Sequence, residues 1–285
     1  MLVLLLAAVE GLTRFGYTRI SHIESRTYRE YHAALDTRPG GPTRPAILLL
    51  GNSLLDAGVD VDGLRRELGP RATPVRFLVE QTAYLDWYYG IRRLLSEGAR
   101  PDRIVLCLNM TQLLASSLRG DYTAYYLIRT PDLASAGRDA GMNLTGISNL
   151  FFARYSLFLA GKSNLRSFVL NLADPSYARA LHDFVSTAAP PLTDAQVLAV
   201  AGPRLKSLRM LCSEYHVRFD LLLPPGFERG SESLLEAAKI ADTHVLIPVP
   251  QGSWDQSSFG DGFHLTPEAA QRFTGLLASA LLAEP

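Results

Sequence analysis

The stretch Ile47-Leu48-Leu49-Leu50-Gly51-Asn52-Ser53-Leu54 decides how this chain is read. Its aliphatic run has no polar face, so it describes a strand buried on both sides, and the Gly-Asn-Ser that follows delivers a serine onto a sharp turn. Near the other end, Asp261-Gly262-Phe263-His264 sets a carboxylate three residues before an imidazole, just ahead of a closing amphipathic helix. Hydroxyl, base and an anion to orient the base are the parts of a nucleophilic acyl-transfer site. Short Gly-x-Ser and Asp-x-x-His strings arise often by chance. Their order, at opposite ends of an α/β pattern, is what makes the pair informative.

Between these ends the pattern alternates. Ala46 to Leu50 reads as strand one, Val59 to Leu68 as a helix closed by Gly69-Pro70, Pro74 to Val79 as strand two, Ala83 to Leu95 as a helix, and Arg103 to Leu108 as strand three. The alternation then stops. From about 111 to 192 there is no convincing strand; Phe151 to Leu159, Leu165 to Leu172 and Tyr177 to Val185 read as helix, and Ala189-Pro190-Pro191 closes this helical insertion. Thr193 caps a long helix, Asp194 to Tyr215, which leads into strand four (Val217 to Leu223), a helix (Ser231 to Ala241), strand five (His244 to Val249) and a last helix (Pro267 to Leu282). Such alternation predicts a right-handed, doubly wound parallel sheet. Residues 21–44, with a polar helix from His22 to Leu35 and a Pro/Gly cluster at 39–42, read as an approach segment and linker to a domain spanning 45–285.

The chain has 285 residues, enough to bury a substantial core in one large domain or two small ones. Its 28 basic and 28 acidic side chains cancel, and no basic stripe interleaves with aromatics, so no nucleic-acid partner is expected. Arg65-Arg66 and Arg92-Arg93 read as solvated helix faces. Cys107 and Cys212 read as buried small hydrophobes rather than a disulfide. The histidines His22, His32, His182, His216 and His244 show no paired ligand spacing, so neither a metal nor another cofactor is expected. There is no glycine-rich phosphate cradle, which argues against a nucleotide or flavin binder.

Residues 1–20 form a hydrophobic segment. Met1 to Val9 is almost wholly apolar, and nine residues rise only about 14 Å as helix against a hydrocarbon core of about 30 Å. A basic n-region and a small-residue cleavage site are missing, so it is not a complete signal peptide. Two readings stand: the end of a membrane anchor that begins upstream, or an amphipathic helix packed on the domain.

In an open parallel sheet, ligands bind beyond the carboxyl ends of the strands. Ser53 follows strand one and His264 follows strand five within a loop, so both reach the same rim. Asp261 and His264 lie one helical turn apart, which lets the carboxylate accept the imidazole Nδ1–H while Nε2 faces Ser53. Thr266-Pro267-Glu268 then starts the last helix with proline in its first turn. The bland alternative is a surface Asp–His pair capping that helix. Asp56 reads as pocket wall or helix entry, Trp254 and Asp255 as substrate contacts or solvated loop, and Tyr122, Tyr125 and Tyr126 as a sugar platform or helix packing.

Gly51-Asn52-Ser53-Leu54 resembles the Gly-Asp-Ser-Leu block of the SGNH (GDSL) hydrolases, and Asp261-Gly262-Phe263-His264 resembles that superfamily's Asp-x-x-His block. The resemblance implies Ser53 as nucleophile, His264 as general base and Asp261 as orienting acid, on a flavodoxin-like three-layer α/β/α sandwich with a five-stranded parallel sheet. It also implies an oxyanion hole from the Ser53 backbone N–H beside Asn52, a backbone N–H after strand two and an asparagine amide after strand three. Glu80-Gln81-Thr82-Ala83 has no glycine, which leaves Gln81 or Thr82 for the second donor. Asn109-Met110-Thr111-Gln112 stands where the family has Gly-x-Asn-Asp; Asn109 is the right type but two positions early, with Thr111 or Gln112 nearer the expected place.

The implied chemistry is hydrolysis or transfer of an acyl group, acetyl among the candidates, on a small ester or a cell-surface glycan. The hydrophobic N-terminus and the insertion are similar to extracytoplasmic (periplasmic) members, anchored at the N-terminus, that work beside a membrane-bound acyltransferase; a cytoplasmic location is the alternative. The rival from another class is a non-catalytic glycan-binding or assembly subunit that keeps the shape of the site.

Overall fold

The apolar run forms β1 (Ala46–Gly51), every residue of which is buried. It is followed in the chain by β2 (Thr73–Leu78), β3 (Arg103–Cys107), β4 (Arg218–Leu222) and β5 (His244–Leu246). The computed structural model describes residues 2–17, 19, 21–162, 193–226 and 231–283. The five strands are parallel throughout, in the order β2-β1-β3-β4-β5. That is the flavodoxin-like order, with the switch point beside β1.

Period-two alternation divides the core into two layers. Leu48, Leu50, Ile104, Leu106 and Leu221 point to one face, under the helices His22–Leu35, Tyr84–Ser96, Asp194–Ser213 and Glu232–Ile240. Ile47, Leu49, Val105, Cys107 and Leu222 point to the other, under Ser53–Gly58, Val61–Leu68 and Pro267–Ala283. The architecture is therefore a three-layer α/β/α sandwich. Cys107 and Cys212 are buried free thiols.

Several elements differ in detail from their sequence reading. β5 stops at Leu246, because Pro248 and Pro250 bring no N–H to a ladder, although Val249 still packs in the core. The helix read from Val59 to Leu68 begins at Val61, where the Asp60 carboxylate caps it by accepting from the Asp62 N–H at 3.1 Å, and a separate helix, Ser53–Gly58, precedes it directly after β1. Within the insertion, helices run Asp121–Tyr126, Leu133–Asp139 and Leu144–Tyr155; the last is broken at Ser156 and residues 157–162 are again helical. The helices expected at 165–172 and 177–185, the closing 189–191 and His182 lie outside the described residues.

Helix His22–Leu35 is packed into the sandwich rather than standing apart from it. It lies against the edge strand β2, with Tyr31 and Ala34 in the core. Glu30 accepts from the Leu78 backbone N–H at 3.1 Å and pairs with Arg76 at 2.7 Å, covering part of the sheet edge. Arg93 corrects the solvated-face reading: it is buried, paired with Glu97 at 2.9 Å and donating to the Tyr125 carbonyl at 2.7 Å. Among the described residues, no helix is long and apolar enough to cross a membrane.

Candidate active site

Ser53 is the first residue of the Ser53–Gly58 helix, directly beyond the carboxyl end of β1. Gly51 makes this possible. A Cβ there would stand 3.0 Å from the Cys107 carbonyl oxygen and 3.0 Å from the Leu55 Cβ, so any larger residue would push on both, and glycine lets β1 lie this close to β3 while the chain turns at once into a helix. Asn52 caps that helix. Its Oδ1 accepts from the Leu54 N–H at 3.0 Å, and its Nδ2 donates to the Thr82 carbonyl at 2.8 Å.

His264 arrives from the far side of the sheet in a loop tied at its base. Phe259 and Leu265 form an antiparallel bridge, the Gly260 N–H donates to the His264 carbonyl at 2.8 Å, and the Thr266 N–H donates to the Ser258 carbonyl at 2.9 Å. Asp261 and His264 are joined by an Asx-type turn rather than by a helical turn: Asp261 Oδ1 accepts from the backbone N–H of Phe263 at 2.9 Å and of His264 at 2.7 Å. Gly262 supplies the left-handed backbone, φ +80°, that this turn needs.

The side chains complete a chain of hydrogen bonds. His264 Nδ1 lies 2.7 Å from Asp261 Oδ2, and His264 Nε2 lies 2.9 Å from Ser53 Oγ. Partial burial alone raises the Asp261 carboxyl, but hydrogen bonds from the His264 ring and from two backbone N–H groups outweigh it and hold the pKa at about 2. Asp261 is therefore an anion at any neutral pH. An anion at that position favours the tautomer with Nδ1 protonated, which turns an unprotonated Nε2 toward the Ser53 hydroxyl.

The remaining residues named from the sequence separate into three groups. Asn52 is wholly buried with both side-chain atoms bonded inside the protein, so it braces the turn and does not face the substrate. The Thr82 side chain is likewise committed, donating to the Val79 carbonyl at 2.6 Å and accepting from Trp87 Nε1 at 2.8 Å. Gln81 is exposed and holds a left-handed φ of +58°, the conformation that a glycine takes without strain. Asn109 and Gln112 cap the Met110–Leu114 helix reciprocally, Asn109 Oδ1 accepting from the Gln112 N–H at 2.8 Å and Gln112 Oε1 from the Asn109 N–H at 3.1 Å. This leaves the Asn109 Nδ2 free of any hydrogen bond among the described residues. Thr111 is exposed.

Asn109 also borders a cavity of about 190 Å³ with mostly apolar walls, among them Leu54, Met110, Leu223, Phe259 and Phe263. Leu54 and Phe263 are the chain neighbours of Ser53 and His264, which do not themselves line the cavity. Leu223-Pro224-Pro225, just past β4, forms another wall. That stretch escaped the sequence reading, although its place beyond the carboxyl end of a strand was the available signal.

Asp56 neither lines the cavity nor only enters a helix: it pairs with Arg26 at 2.8 Å and with Arg76 at 2.9 Å. Trp254 packs edge-on against Phe273, and Asp255 is exposed. Tyr122 and Tyr126 are core residues whose hydroxyls donate to the buried Glu24.

Sheet order and side-chain geometry together define a flavodoxin-like α/β/α sandwich with a hydrogen-bonded Ser–His–Asp constellation at the carboxyl rim of its sheet. No protein-family model and no curated protein matches the chain. Among solved structures the chain is similar to TesA, at 14% identity and a TM-score of 0.40 over 83% of this chain and 97% of that one. It is also similar to a catalytic mutant of Axe2, an acetylxylan esterase from Geobacillus stearothermophilus, at 12% identity and a TM-score of 0.39 over 84% of this chain and 93% of that one. At these values the likenesses add no weight to the geometry.

Proposed function

We propose that the chain is a serine-dependent ester hydrolase or O-acyltransferase. The observation that carries this reading is the continuous path from Ser53 Oγ through the His264 ring to Asp261. Ser53 attacks the ester carbonyl while His264 Nε2 takes its proton; Asp261 stabilises the imidazolium; His264 returns the proton to the leaving alcohol. Water, or an acceptor hydroxyl, then releases the acyl group from Ser53 by the same steps in reverse.

Developing charge on the carbonyl oxygen needs donors in place before reaction. The Ser53 backbone N–H, at the first position of its helix, and the Asn109 Nδ2 are candidates, because neither is spent on another hydrogen bond among the described residues. The apolar cavity supports an acyl group entering between Leu54 and Phe263. A glycan-borne ester as substrate, an extracytoplasmic location and a membrane-bound acyltransferase as partner complete the reading.

A second reading, a non-catalytic glycan-binding or assembly subunit, is favoured by one observation: the Asn52, Thr82 and Gln112 side chains are all engaged in internal hydrogen bonds. Turnover of short-chain aryl esters by the full chain, with Ser53→Ala and His264→Ala as controls, decides between them. Activity lost in both variants supports catalysis. No wild-type turnover, together with no labelling of Ser53 by a serine-directed phosphonate, supports the binding role.

A further inference from the structure

A second cavity, of about 280 Å³, lies among helices His22–Leu35, Tyr84–Ser96, Asp121–Tyr126 and Leu144–Tyr155 and shares no residue with the catalytic one. Arg14, Arg93 and Arg154 line it, with Tyr31, Tyr125 and Tyr155 among its aromatic walls. Arg93 is held by Glu97 at 2.9 Å, and Arg14 by Glu10 at 2.6 Å. Among the described residues, Arg154 has no carboxylate ion-pair partner and its buried Nε has no hydrogen-bond partner. Among the described ion pairs, then, two carboxylates serve the three guanidiniums that line this half-buried cavity, and an anion is the natural complement of the remaining charge. Burial and the neighbouring Arg93 both press the Arg154 pKa below its ordinary value, and the Glu97 charge opposes only part of that shift.

The surroundings of the cavity specify what carries the anion. Glu10 ties the Leu2–Leu12 helix to the break after Tyr155 by accepting from Ser156 Oγ at 2.7 Å and from the Leu157 N–H at 2.9 Å, while Arg14 donates to the Tyr155 carbonyl at 3.1 Å. Both joined segments expose large apolar side chains: Leu4 (75%), Leu5 (60%) and Phe15 (65%) on one, Phe152 (65%) on the other. The Arg19 guanidinium lies 3.9 Å from the Phe15 ring centroid, adding positive charge to the same face. Exposed leucine and phenylalanine next to arginine and tyrosine is the composition of a surface that sits at a lipid headgroup layer.

We propose that this face docks on an anionic phospholipid surface, with the apolar side chains in the headgroup region and the phosphate of one lipid held in the Arg93–Arg154 cavity. A cavity of 280 Å³ has room for about nine waters at roughly 30 Å³ each, enough for a phosphate diester and part of its glycerol. The guanidinium fork matches phosphate oxygens, and the tyrosine walls suit a boundary that is apolar on one side and wet on the other. This inference does not depend on the ester chemistry.

The test is sedimentation of the full chain with vesicles of mixed phosphatidylglycerol and phosphatidylcholine, and with vesicles of phosphatidylcholine alone. Binding to the anionic vesicles is expected to exceed binding to the neutral ones. Arg154→Gln should lower it about fivefold, the effect of one basic side chain near an anionic leaflet. Phe152→Ser, at an exposed site where folding is not at stake, should weaken binding to both vesicle types. Arg66→Gln, on an exposed helix of the opposite sheet face, and Ser53→Ala should both bind like wild type. Equal binding to the two vesicle types overturns the proposal, and so does a loss in Arg154→Gln no greater than in Arg66→Gln. Thermal stabilisation by soluble glycerol phosphate, abolished in Arg154→Gln and without vesicle binding, also overturns it and assigns the cavity to a free phosphoester.

Discussion

His264 Nε2 stands 2.9 Å from Ser53 Oγ although 211 residues separate them in the chain. The contact exists because β1 and the loop after β5 end on the same rim of one parallel sheet. Ser53→Ala and His264→Ala are each expected to lower ester turnover by about 10⁴-fold or more, and the double variant no further, because the two act as a unit. Asp261→Asn should lower kcat by about 10²–10⁴-fold. With Asp261 held at about 2, its negative charge, and the stability its pairing lends, is complete above the ordinary carboxylate value of 3.8 and is lost only as pH falls through about 2. Asp261 is therefore expected to contribute no inflection to a pH–rate profile above pH 4, and an inflection there that disappears in Asp261→Asn refutes this.

Asn52 stands where the resembled block has aspartate, and its surroundings explain why aspartate does not suit this chain. The Nδ2 donates to the Thr82 carbonyl in a wholly buried site. Asn52→Asp puts a carboxylate oxygen against that carbonyl and is expected to destabilise the fold by about 3 kcal/mol. Urea unfolding of the purified variant measures it; an unchanged midpoint refutes the account.

The Asn109 side chain caps a helix through Oδ1, and on the proposed mechanism its Nδ2 has the separate task of an oxyanion donor. Asn109→Asp keeps the Oδ1 cap on the Gln112 N–H but removes the amide donor. Stability is expected to change by less than about 1 kcal/mol, while kcat falls about 10²–10³-fold, the usual cost of one oxyanion donor. Thr111→Ala, at an exposed position, should leave both within twofold.

Asp86 gives the fold a pH signature of its own. Burial raises its carboxyl from 3.8 to about 6, with hydrogen bonds from the Ala83 and Arg119 N–H groups opposing only part of the shift. A folded-state value above the unfolded one means that the native state holds the proton more tightly. The stability this provides is complete below 3.8 and is lost as pH rises through about 6. Asp86→Asn should flatten this fall, which is at most about 3 kcal/mol, when unfolding is followed from pH 4 to 7.

Much of the sandwich was legible because burial on both faces leaves a local mark. Ile47 to Leu50 and Ile104 to Leu108 are apolar without alternation, and each forms a central strand. Strand five was read too long, since Val249 is as apolar as a strand residue while its backbone is turned aside by the flanking prolines. The Asp261–His264 pairing was legible from spacing, but its turn was not: the left-handed Gly262 is a backbone property that a three-residue separation does not reveal. Arg93 looked solvated beside Arg92, because one residue's step around a helix changes the face it occupies, and only the packed neighbours Tyr31 and Tyr125 show which.

The α/β class, the strand that presents Ser53 and the three side chains that meet at its end, Ser53, Asp261 and His264, are legible in the sequence, because local periodicity, turn chemistry and residue type are carried by short stretches. Only the tertiary structure shows that Asn52 braces rather than binds, that the Asn109 amide nitrogen has no hydrogen bond among the described residues, that helix His22–Leu35 covers the edge of β2, and that Arg154 lines a cavity with no ion-pair partner among the described residues. Each of these depends on partners far away in the chain, and no local pattern encodes which distant group satisfies a buried polar atom.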